Sequence, residues 1–193
     1  MKGAAPVVRA FLAVAIEGEE TVARLRAVIS QLREIRGLRA VSPHQLHFTL
    51  KFFEDLPEAK LASAKEAAAR AAAIFSPFSL NLSGLGVFPP RGPARVLWVG
   101  CESGSGTLVS LASAVDKEFT LEGFAPEARP FSPHLTLARV KDPRAAREAS
   151  AFVSTNVSFD VGSIDVKELV LYHSILGPSG AAHTPVLRAR LGR

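Results

Sequence analysis

The residues best suited to chemistry in this chain occur in two copies of one tetrapeptide, His-x-Thr-Leu. The copies are His47-Phe48-Thr49-Leu50 and His134-Leu135-Thr136-Leu137. Residues i and i+2 of a β-strand lie on the same face, so each copy is predicted to present a histidine beside a threonine hydroxyl. The other two residues of each copy are apolar and are predicted to lie in a core. Two such strands facing one another would form a symmetric acid–base site.

A pair of histidines can supply both proton transfers of a hydrolysis, because the ordinary pKa of histidine lies near 6.5. One ring would take a proton from water while the other gives a proton to the leaving oxygen. In-line hydrolysis of a phosphodiester has this requirement, and the threonine hydroxyls would donate hydrogen bonds to the non-bridging oxygens. The net charge of +5 suits an anionic substrate, and equally suits solubility alone. The alternative is two buried strands that each happen to contain a histidine.

Other catalytic chemistries find little support in the sequence. A zinc site needs three or four His, Cys, Asp or Glu ligands. His44 and His47 are three residues apart, which places them on opposite faces of a strand, and Cys101 is the only cysteine. The chain has no H-E-x-x-H, C-x-x-C or G-x-S-x-G motif. We therefore expect no metal ion and no cofactor.

Length and composition indicate a globular protein with one domain or two small lobes. The chain has 193 residues and 48% of them are hydrophobic, a fraction too high for a disordered chain. The single cysteine rules out an internal disulfide and suits a reducing compartment. The sequence contains no apolar run of membrane-spanning length and no clear signal-peptide pattern. We expect a soluble, cytoplasmic monomer that does not bind membranes.

Strands and helices alternate along the chain in an order that repeats once, βαβαββ followed by αβαβββ. The two His-x-Thr-Leu motifs lie near half a chain length apart, each after a Ser-Pro and before a helix. The two halves are therefore predicted to be copies of one unit, and each lobe is expected to be a sheet covered by helices. The segment 84–93 contains three glycines and three prolines and is predicted to be a loop.

Several segments around the motifs resemble a known family. They are RAFLA at 9–13, HQLHFTLKF at 44–52, GVFP at 86–89, ARVLWVG at 94–100, FSPHLTLAR at 131–139, LVLYHS at 169–174 and GPSG at 177–180. In this order, with H-x-T-x twice, they resemble the two-histidine phosphoesterase superfamily. Within it they are most similar to the bacterial and archaeal RNA 2′,3′-cyclic phosphodiesterases, historically called 2′-5′ RNA ligases.

The resemblance implies an α+β, bilobal fold in which two pseudo-symmetric antiparallel sheets, flanked by helices, enclose a central cleft. Residues 1–193 would form a single two-lobed phosphoesterase domain. The implied activity is metal-independent hydrolysis of an RNA 2′,3′-cyclic phosphate to a 2′-phosphate, with reversible 2′-5′ ligation of RNA ends. The implied partners are RNA ends or nucleotides with a 2′,3′-cyclic phosphate. His47 would be the proton donor and His134 the proton acceptor, and Thr49 and Thr136 would bind the phosphate.

Three sites outside the motifs, five residues in all, differ from the residues usual in that family. Phe53-Glu54-Asp55 stands where Leu-Gly-Glu is usual, His173 where arginine is favoured, and His183 where an aromatic residue is common. The differences are expected to affect RNA contacts and substrate preference. His173 and His183, like His44, are expected to be structural or surface residues.

Three basic residues are candidate substrate contacts. Arg139, five residues after His134, could reach the phosphate, which arginine binds in a bidentate manner, or form a surface salt bridge. Lys51 shares the face of His47 by strict alternation, so it could line the cleft or lie at a solvated strand end. Arg91, in the predicted proline-rich loop, could guide RNA or simply be exposed.

Three aromatic residues are candidates for stacking on a nucleobase, although aromatic residues in strands more often belong to a core. They are Phe11, Phe52 and Trp98.

Two other functions remain open from the sequence. A non-catalytic RNA-end binding module would bind tightly and in a salt-dependent manner without turnover, but a binder needs no poised acid and base. A phosphodiesterase for a small cyclic nucleotide or a sugar phosphate would share the reaction centre and differ only in its pocket.

Overall fold

The computed structural model describes residues 6–177 and 180–192, so Pro178 and Ser179 of the GPSG segment lie outside the described residues. The elements follow the order βαββαββαβαβββ. The strands are β1 (Val7–Ala15), β2 (Leu38–Ala40), β3 (His47–Pro57), β4 (Phe78–Phe88), β5 (Val96–Cys101), β6 (Leu135–Val140), β7 (Asp160–Val166), β8 (Glu168–Gly177) and β9 (Gly180–Arg190). The helices are α1 (Glu19–Glu34), α2 (Leu61–Ala73), α3 (Ser105–Leu121) and α4 (Ala146–Thr155).

The strands form two antiparallel sheets, which confirms the predicted α+β fold class. The first sheet has the order β3-β1-β8-β9, and the second has the order β2-β6-β5-β4-β7. His47 is the first residue of β3, and His134 immediately precedes β6. Each histidine motif therefore belongs to a different sheet.

The sequence repeat predicted that the two halves of the chain are copies of one unit. In the structure, however, the two lobes do not correspond to the two halves. The first sheet combines β1 and β3 with β8 and β9 from the end of the chain, and the second takes β2 and β4 from the first half. Helices α2 and α3 pack on the first sheet, whereas α1 and α4 pack on the second. Each lobe needs segments from both halves, so the two motifs are held in place by one interwoven fold.

Helix α2 packs closely because its buried face consists of small residues. Ala64, Ala67, Ala68 and Ala71 recur at helical spacing, and all four are fully buried. Alanine side chains allow close approach to the neighbouring helix and to the strands of the first sheet. This layer closes the core behind the first motif, where Phe48 is also fully buried.

An extra residue interrupts the pairing of the first motif strand. Thr49 pairs with Ala13, but Lys51 pairs with Leu12, so Leu50 has no partner of its own on β1. Such a β-bulge makes two consecutive side chains point to similar sides and reverses the alternation beyond it.

The second motif strand contains the equivalent irregularity. Thr136 pairs with Trp98 and Ala138 with Leu97, which leaves Leu137 as the extra residue. Both bulges fall on the leucine of His-x-Thr-Leu. The repeated tetrapeptide therefore corresponds to a repeated backbone feature as well as to a repeated pair of side chains.

The prediction that Lys51 lines the cleft is wrong because of the first bulge. Beyond Leu50 the faces are exchanged, so Lys51 is only 3% exposed whereas Phe52 is 42% exposed. The Lys51 Nζ donates hydrogen bonds to Asp116 Oδ1 at 2.7 Å and to the Ala125 carbonyl at 2.9 Å. The lysine thus ties β3 to α3 and to the segment that follows that helix.

The predicted loop at 84–93 is wrong in its first half, where β4 continues to Phe88. The glycines that suggested a loop have other roles. Gly84 has a φ of +75° beside a register irregularity between Ser83 and Leu85. At Gly86 a Cβ atom would lie 2.2 Å from the Trp98 ring, so a side chain has no room there.

Two further features complete the fold. Strand β2, only three residues long, was not predicted, because so short a run shows no periodicity. Within residues 6–177 and 180–192, none of the helices has the length and apolar character needed to span a membrane.

We predict that Lys51→Ala lowers the free energy of unfolding by about 3 kcal/mol, because it removes the buried partner of Asp116. Urea denaturation measures this change. Lys117→Ala, at an exposed position beside Asp116 on α3, is the control and should change the free energy by less than about 0.5 kcal/mol. An equally small effect of Lys51→Ala would contradict the structural role.

Candidate active site

A cavity of about 750 Å³ lies between the two sheets and receives side chains from both motifs. His47 and Thr49 line it from β3, and His134 and Thr136 line it from β6 and the residue before it. The structure therefore brings all four sequence-predicted residues to one cavity. Within the described chain, the two threonine hydroxyls have no hydrogen-bond partner, so they are available to a ligand.

The two imidazoles are held by equivalent hydrogen bonds. His47 Nδ1 lies 2.6 Å from the carbonyl oxygen of Gln45, and His134 Nδ1 lies 2.8 Å from the carbonyl oxygen of Ser132. A carbonyl can only accept, so Nδ1 carries the proton in each ring. Nε2 is then the nitrogen of each histidine that can exchange a proton with a ligand.

The environments of the two rings differ. His47 stacks on Phe11 with 4.5 Å between ring centroids, and it contacts His183 edge-on at 5.7 Å. Burial lowers the pKa of His47 to about 4, and the nearby charges of His183 and Arg139 act in the same direction. In the ligand-free protein His47 is therefore neutral at pH 7. An anion in the cavity would favour the charged ring and raise its pKa.

His134 rests against Phe88, whose ring meets it edge-on at 5.0 Å. Phe88 in turn contacts Trp98 at 5.1 Å. Trp98 does not line the cavity but lies across Gly86, so of the two places considered for it the structure shows packing within the protein and not a position for stacking on a nucleobase. The tryptophan supports Phe88, which supports the second histidine.

The two other candidate aromatic residues both reach the cavity, but in different ways. Phe11 is 3% exposed and is stacked against both His47 and Tyr172, so it supports the histidine ring. The Arg9 guanidinium lies over the Phe52 ring, 4.5 Å from its centroid, and Phe52 remains 42% exposed. Of the three, Phe52 is therefore the one with a surface free for stacking.

The cavity is strongly cationic. No Asp or Glu side chain is among the described residues that line it, while the basic residues on its walls are Arg9, Arg33, Arg39, Arg139 and Lys141. Arg139 reaches the cavity because the bulge at Leu137 turns it to the side of Thr136. Arg91 lies in the exposed connection between β4 and β5 and does not line the cavity.

Sequence reasoning missed His183, which it assigned to a structural or surface role. The ring lines the cavity from β9 and touches both His47 and Phe11. Its Nδ1 is buried without a hydrogen-bond partner in the described part of the chain, and burial lowers its pKa. Nothing in the local sequence indicates this position, since β9 reaches His47 only through the pairing of β8 with β1 and β9.

Among residues 6–177 and 180–192, no three His, Cys, Asp or Glu side chains are arranged to hold a metal ion. Cys101 lies in β5, where burial raises the pKa of its thiol to about 12.

Known proteins resemble this chain in sequence over nearly its whole length. A sequence profile of the 2′-5′ RNA ligase superfamily matches residues 11–175. A Methanothermobacter thermautotrophicus protein named RNA 2′,3′-cyclic phosphodiesterase is 37% identical, covering 95% of this chain and 99% of its own. An Archaeoglobus fulgidus protein of the same name is 33% identical, covering 88% of this chain and 93% of its own.

Solved structures share the fold. The crystal structure of TT0787 of Thermus thermophilus is 31% identical, with a TM-score of 0.78, covering 95% of this chain and 97% of that one. The crystal structure of Escherichia coli LigT complexed with 3′-AMP is 25% identical, with a TM-score of 0.78, covering 96% and 99%. Because sequence and fold agree over almost the entire length, the chain belongs to the 2′-5′ RNA ligase superfamily.

Proposed function

We propose that this protein is a metal-independent enzyme that hydrolyses the 2′,3′-cyclic phosphate of an RNA end to a 2′-phosphate. The observation that carries the proposal is the pair of His–Thr arrangements, each with Nδ1 held by a backbone carbonyl, on opposite walls of one cationic cavity. Relatives named RNA 2′,3′-cyclic phosphodiesterase support the choice of substrate. The two lobes would act as one domain, in a cytoplasmic monomer.

In the proposed reaction, the two histidines act on opposite sides of the phosphorus. Neutral His134 takes a proton from water as the water oxygen attacks phosphorus. The bond from phosphorus to O3′ breaks, and protonated His47 gives its proton to O3′, which leaves a 3′-hydroxyl and a 2′-phosphate. Thr49 and Thr136 donate hydrogen bonds to the non-bridging oxygens, where negative charge accumulates.

The low pKa of His47 fits a proton donor that becomes protonated only when the substrate binds. In the empty cleft the ring is neutral, and the phosphate anion stabilises the protonated form once it binds. Because burial destabilises the protonated ring, the proton that His47 gains in the complex is readily transferred to O3′. Arg139 would share the phosphate charge, and the open face of Phe52 would stack on the terminal base.

The same centre would also join RNA ends. When a 5′-hydroxyl of a second RNA attacks the cyclic phosphorus in place of water, the bond to O3′ breaks, O3′ takes the proton of His47, and a 2′-5′ phosphodiester forms. No additional group is needed, because the hydroxyl gives its proton to His134 as water does. Hydrolysis and 2′-5′ ligation are thus two outcomes of one displacement.

We predict that His47→Ala and His134→Ala each lower kcat/KM for a 2′,3′-cyclic phosphate RNA end by about 1,000-fold, since each removes one proton transfer. Turnover is measured with EDTA present, and wild-type activity should persist there. His44→Ala, at an exposed histidine outside the cavity, is the matched control and should keep its activity. Unchanged turnover in the two motif variants would overturn the proposal.

The two roles can be separated with a leaving group that needs no proton. On a 4-nitrophenyl phosphodiester, His47→Ala should lose about 10-fold or less, whereas His134→Ala should lose as much as on the cyclic phosphate. The reason is that an acidic phenol leaves without help from a general acid, while water still needs a general base. The opposite pattern would mean that His134 is the donor and His47 the acceptor.

We predict that His47 titrates near pH 4 in the ligand-free protein and that adenosine 2′-monophosphate raises this value. Proton NMR of the histidine rings, with His47→Gln for assignment, measures both. The unfolded chain takes up a proton here that the folded chain does not, so this residue makes the free energy of unfolding decrease as the pH falls from about 6.5 towards 4. Titration of His47 near 6.5 without ligand would contradict the burial argument.

A further inference from the structure

Three of the cationic residues in the cavity lie apart from the His–Thr centre. Arg33 comes from the last turn of α1, Arg39 from the edge strand β2, and Lys141 from the residue after β6. None of the three is needed for the proton transfers or for the contacts proposed for the reacting phosphate. We call these residues the rim cations.

The rim cations continue outwards from Arg139. At about 3.3 Å per residue, Arg139 lies about 10 Å along the strand from Thr136, and Lys141 follows two residues later. The charge of Arg139 lowers the pKa of His47, so this arginine acts on the reaction centre itself. The rim cations line the same cavity from α1, β2 and the end of β6, and so form a second group of positive charge beside Arg139.

The backbone places one rim cation directly opposite Arg139. Arg39 and Arg139 are opposite partners in the pairing of β2 with β6. Directly opposite residues of an antiparallel pair lie on the same face of the sheet. Arg39 therefore extends the positive charge of Arg139 to the edge of the second sheet, and both residues line the cavity.

Arg39 also reaches from one sheet to the other. Its guanidinium extends from the second sheet to β9 of the first, where a Cβ on Gly180 would lie 2.7 Å from Nη2. Gly180 has no side chain, so it leaves room for this guanidinium. Arg39 thus brings positive charge to the part of the cavity wall that the second sheet shares with β9.

We propose that Arg33, Arg39 and Lys141 form a second phosphate site, which binds the 5′-phosphate of the nucleotide whose 2′,3′-cyclic phosphate reacts. This inference rests on the proposed function. It makes the preferred substrate an RNA end, in which that phosphate links the terminal nucleotide to the rest of the strand. A cyclic nucleotide without a 5′-phosphate uses only the reaction centre.

The test compares adenosine 2′,3′-cyclic phosphate with and without a 5′-phosphate, so that only the second phosphate differs. The wild-type protein should have a kcat/KM at least about 10-fold higher with the 5′-phosphate, because charged hydrogen bonds to arginine and lysine are gained. The 5′-phosphate should also steepen the dependence of log(kcat/KM) on log salt by about 0.7. In the triple variant Arg33→Gln, Arg39→Gln, Lys141→Gln, the preference should fall to about 1.

Arg147→Gln is the matched control, since Arg147 is an exposed arginine of the second lobe that does not line the cavity. It should retain the full preference. A wild-type protein that treats both substrates alike, or a triple variant that keeps the preference, would overturn the second phosphate site while leaving the proposed hydrolysis intact.

A binding measurement separates this inference from the proposed function. Isothermal titration should show that the wild-type protein binds adenosine 2′,5′-bisphosphate at least about 10-fold more tightly than adenosine 2′-monophosphate, and that the triple variant does not. If a 2′,3′-cyclic phosphate RNA end is not hydrolysed, the proposed function fails, and the binding difference still decides whether the second site exists. Equal affinities in the wild-type protein would overturn it.

Discussion

The β-bulge at the leucine of each His-x-Thr-Leu motif determines what the cleft contains. Before the bulge, the strand presents histidine and threonine to the cavity; after it, the faces are exchanged. In β3 the exchange buries Lys51 and turns Phe52 towards the cavity. In β6 it turns Arg139 towards the cavity. Without the extra residue, Phe52 and Arg139 would point into the cores and a lysine would point into the cleft.

The same feature creates asymmetry in a site built from two similar halves. Both histidines are held by the carbonyl two residues earlier in the chain, so their Nε2 atoms are equivalent. The residues five positions after each histidine are not equivalent, because Phe52 has an aromatic ring and Arg139 has a guanidinium. Burial adds to the difference, because His47 stacks on Phe11 and has a pKa lowered to about 4. A symmetric backbone thus acquires one side with an exposed aromatic ring and one side with a guanidinium.

The exchange of strands between the lobes keeps the two motifs opposed. The end of the chain returns to pair with β1, and β2 leaves the first half to pair with β6. The chain therefore passes between the two sheets four times, from β1 to β2, from β2 to β3, from β3 to β4 and from β7 to β8. The proton transfers proposed for His47 and His134 require a constant distance across the phosphate, and these connections restrict how far the two sheets can move apart.

The His–Thr pairs and the fold class could be predicted from the sequence because both depend on local repetition. A two-residue alternation places His47 with Thr49 wherever the strand is regular, and the motif is regular up to Thr49. The predictions for Lys51 and for the glycines after residue 83 were wrong because a bulge and a close ring contact depend on the partner strand. Trp98 could not be assigned to one place from the sequence, because its contact with Gly86 is made across two strands.

The sequence by itself determined the chemical groups of the site: two imidazoles, two hydroxyls and an excess of basic residues. Only the tertiary structure decided which of the basic residues share the cavity, because Arg9, Arg33, Arg39 and Arg139 come from four different elements. The tertiary structure also lowers the pKa of His47 and places His183 beside it. The physical reason is that burial and charge at an atom depend on every element packed around it, whereas alternation depends only on the strand itself.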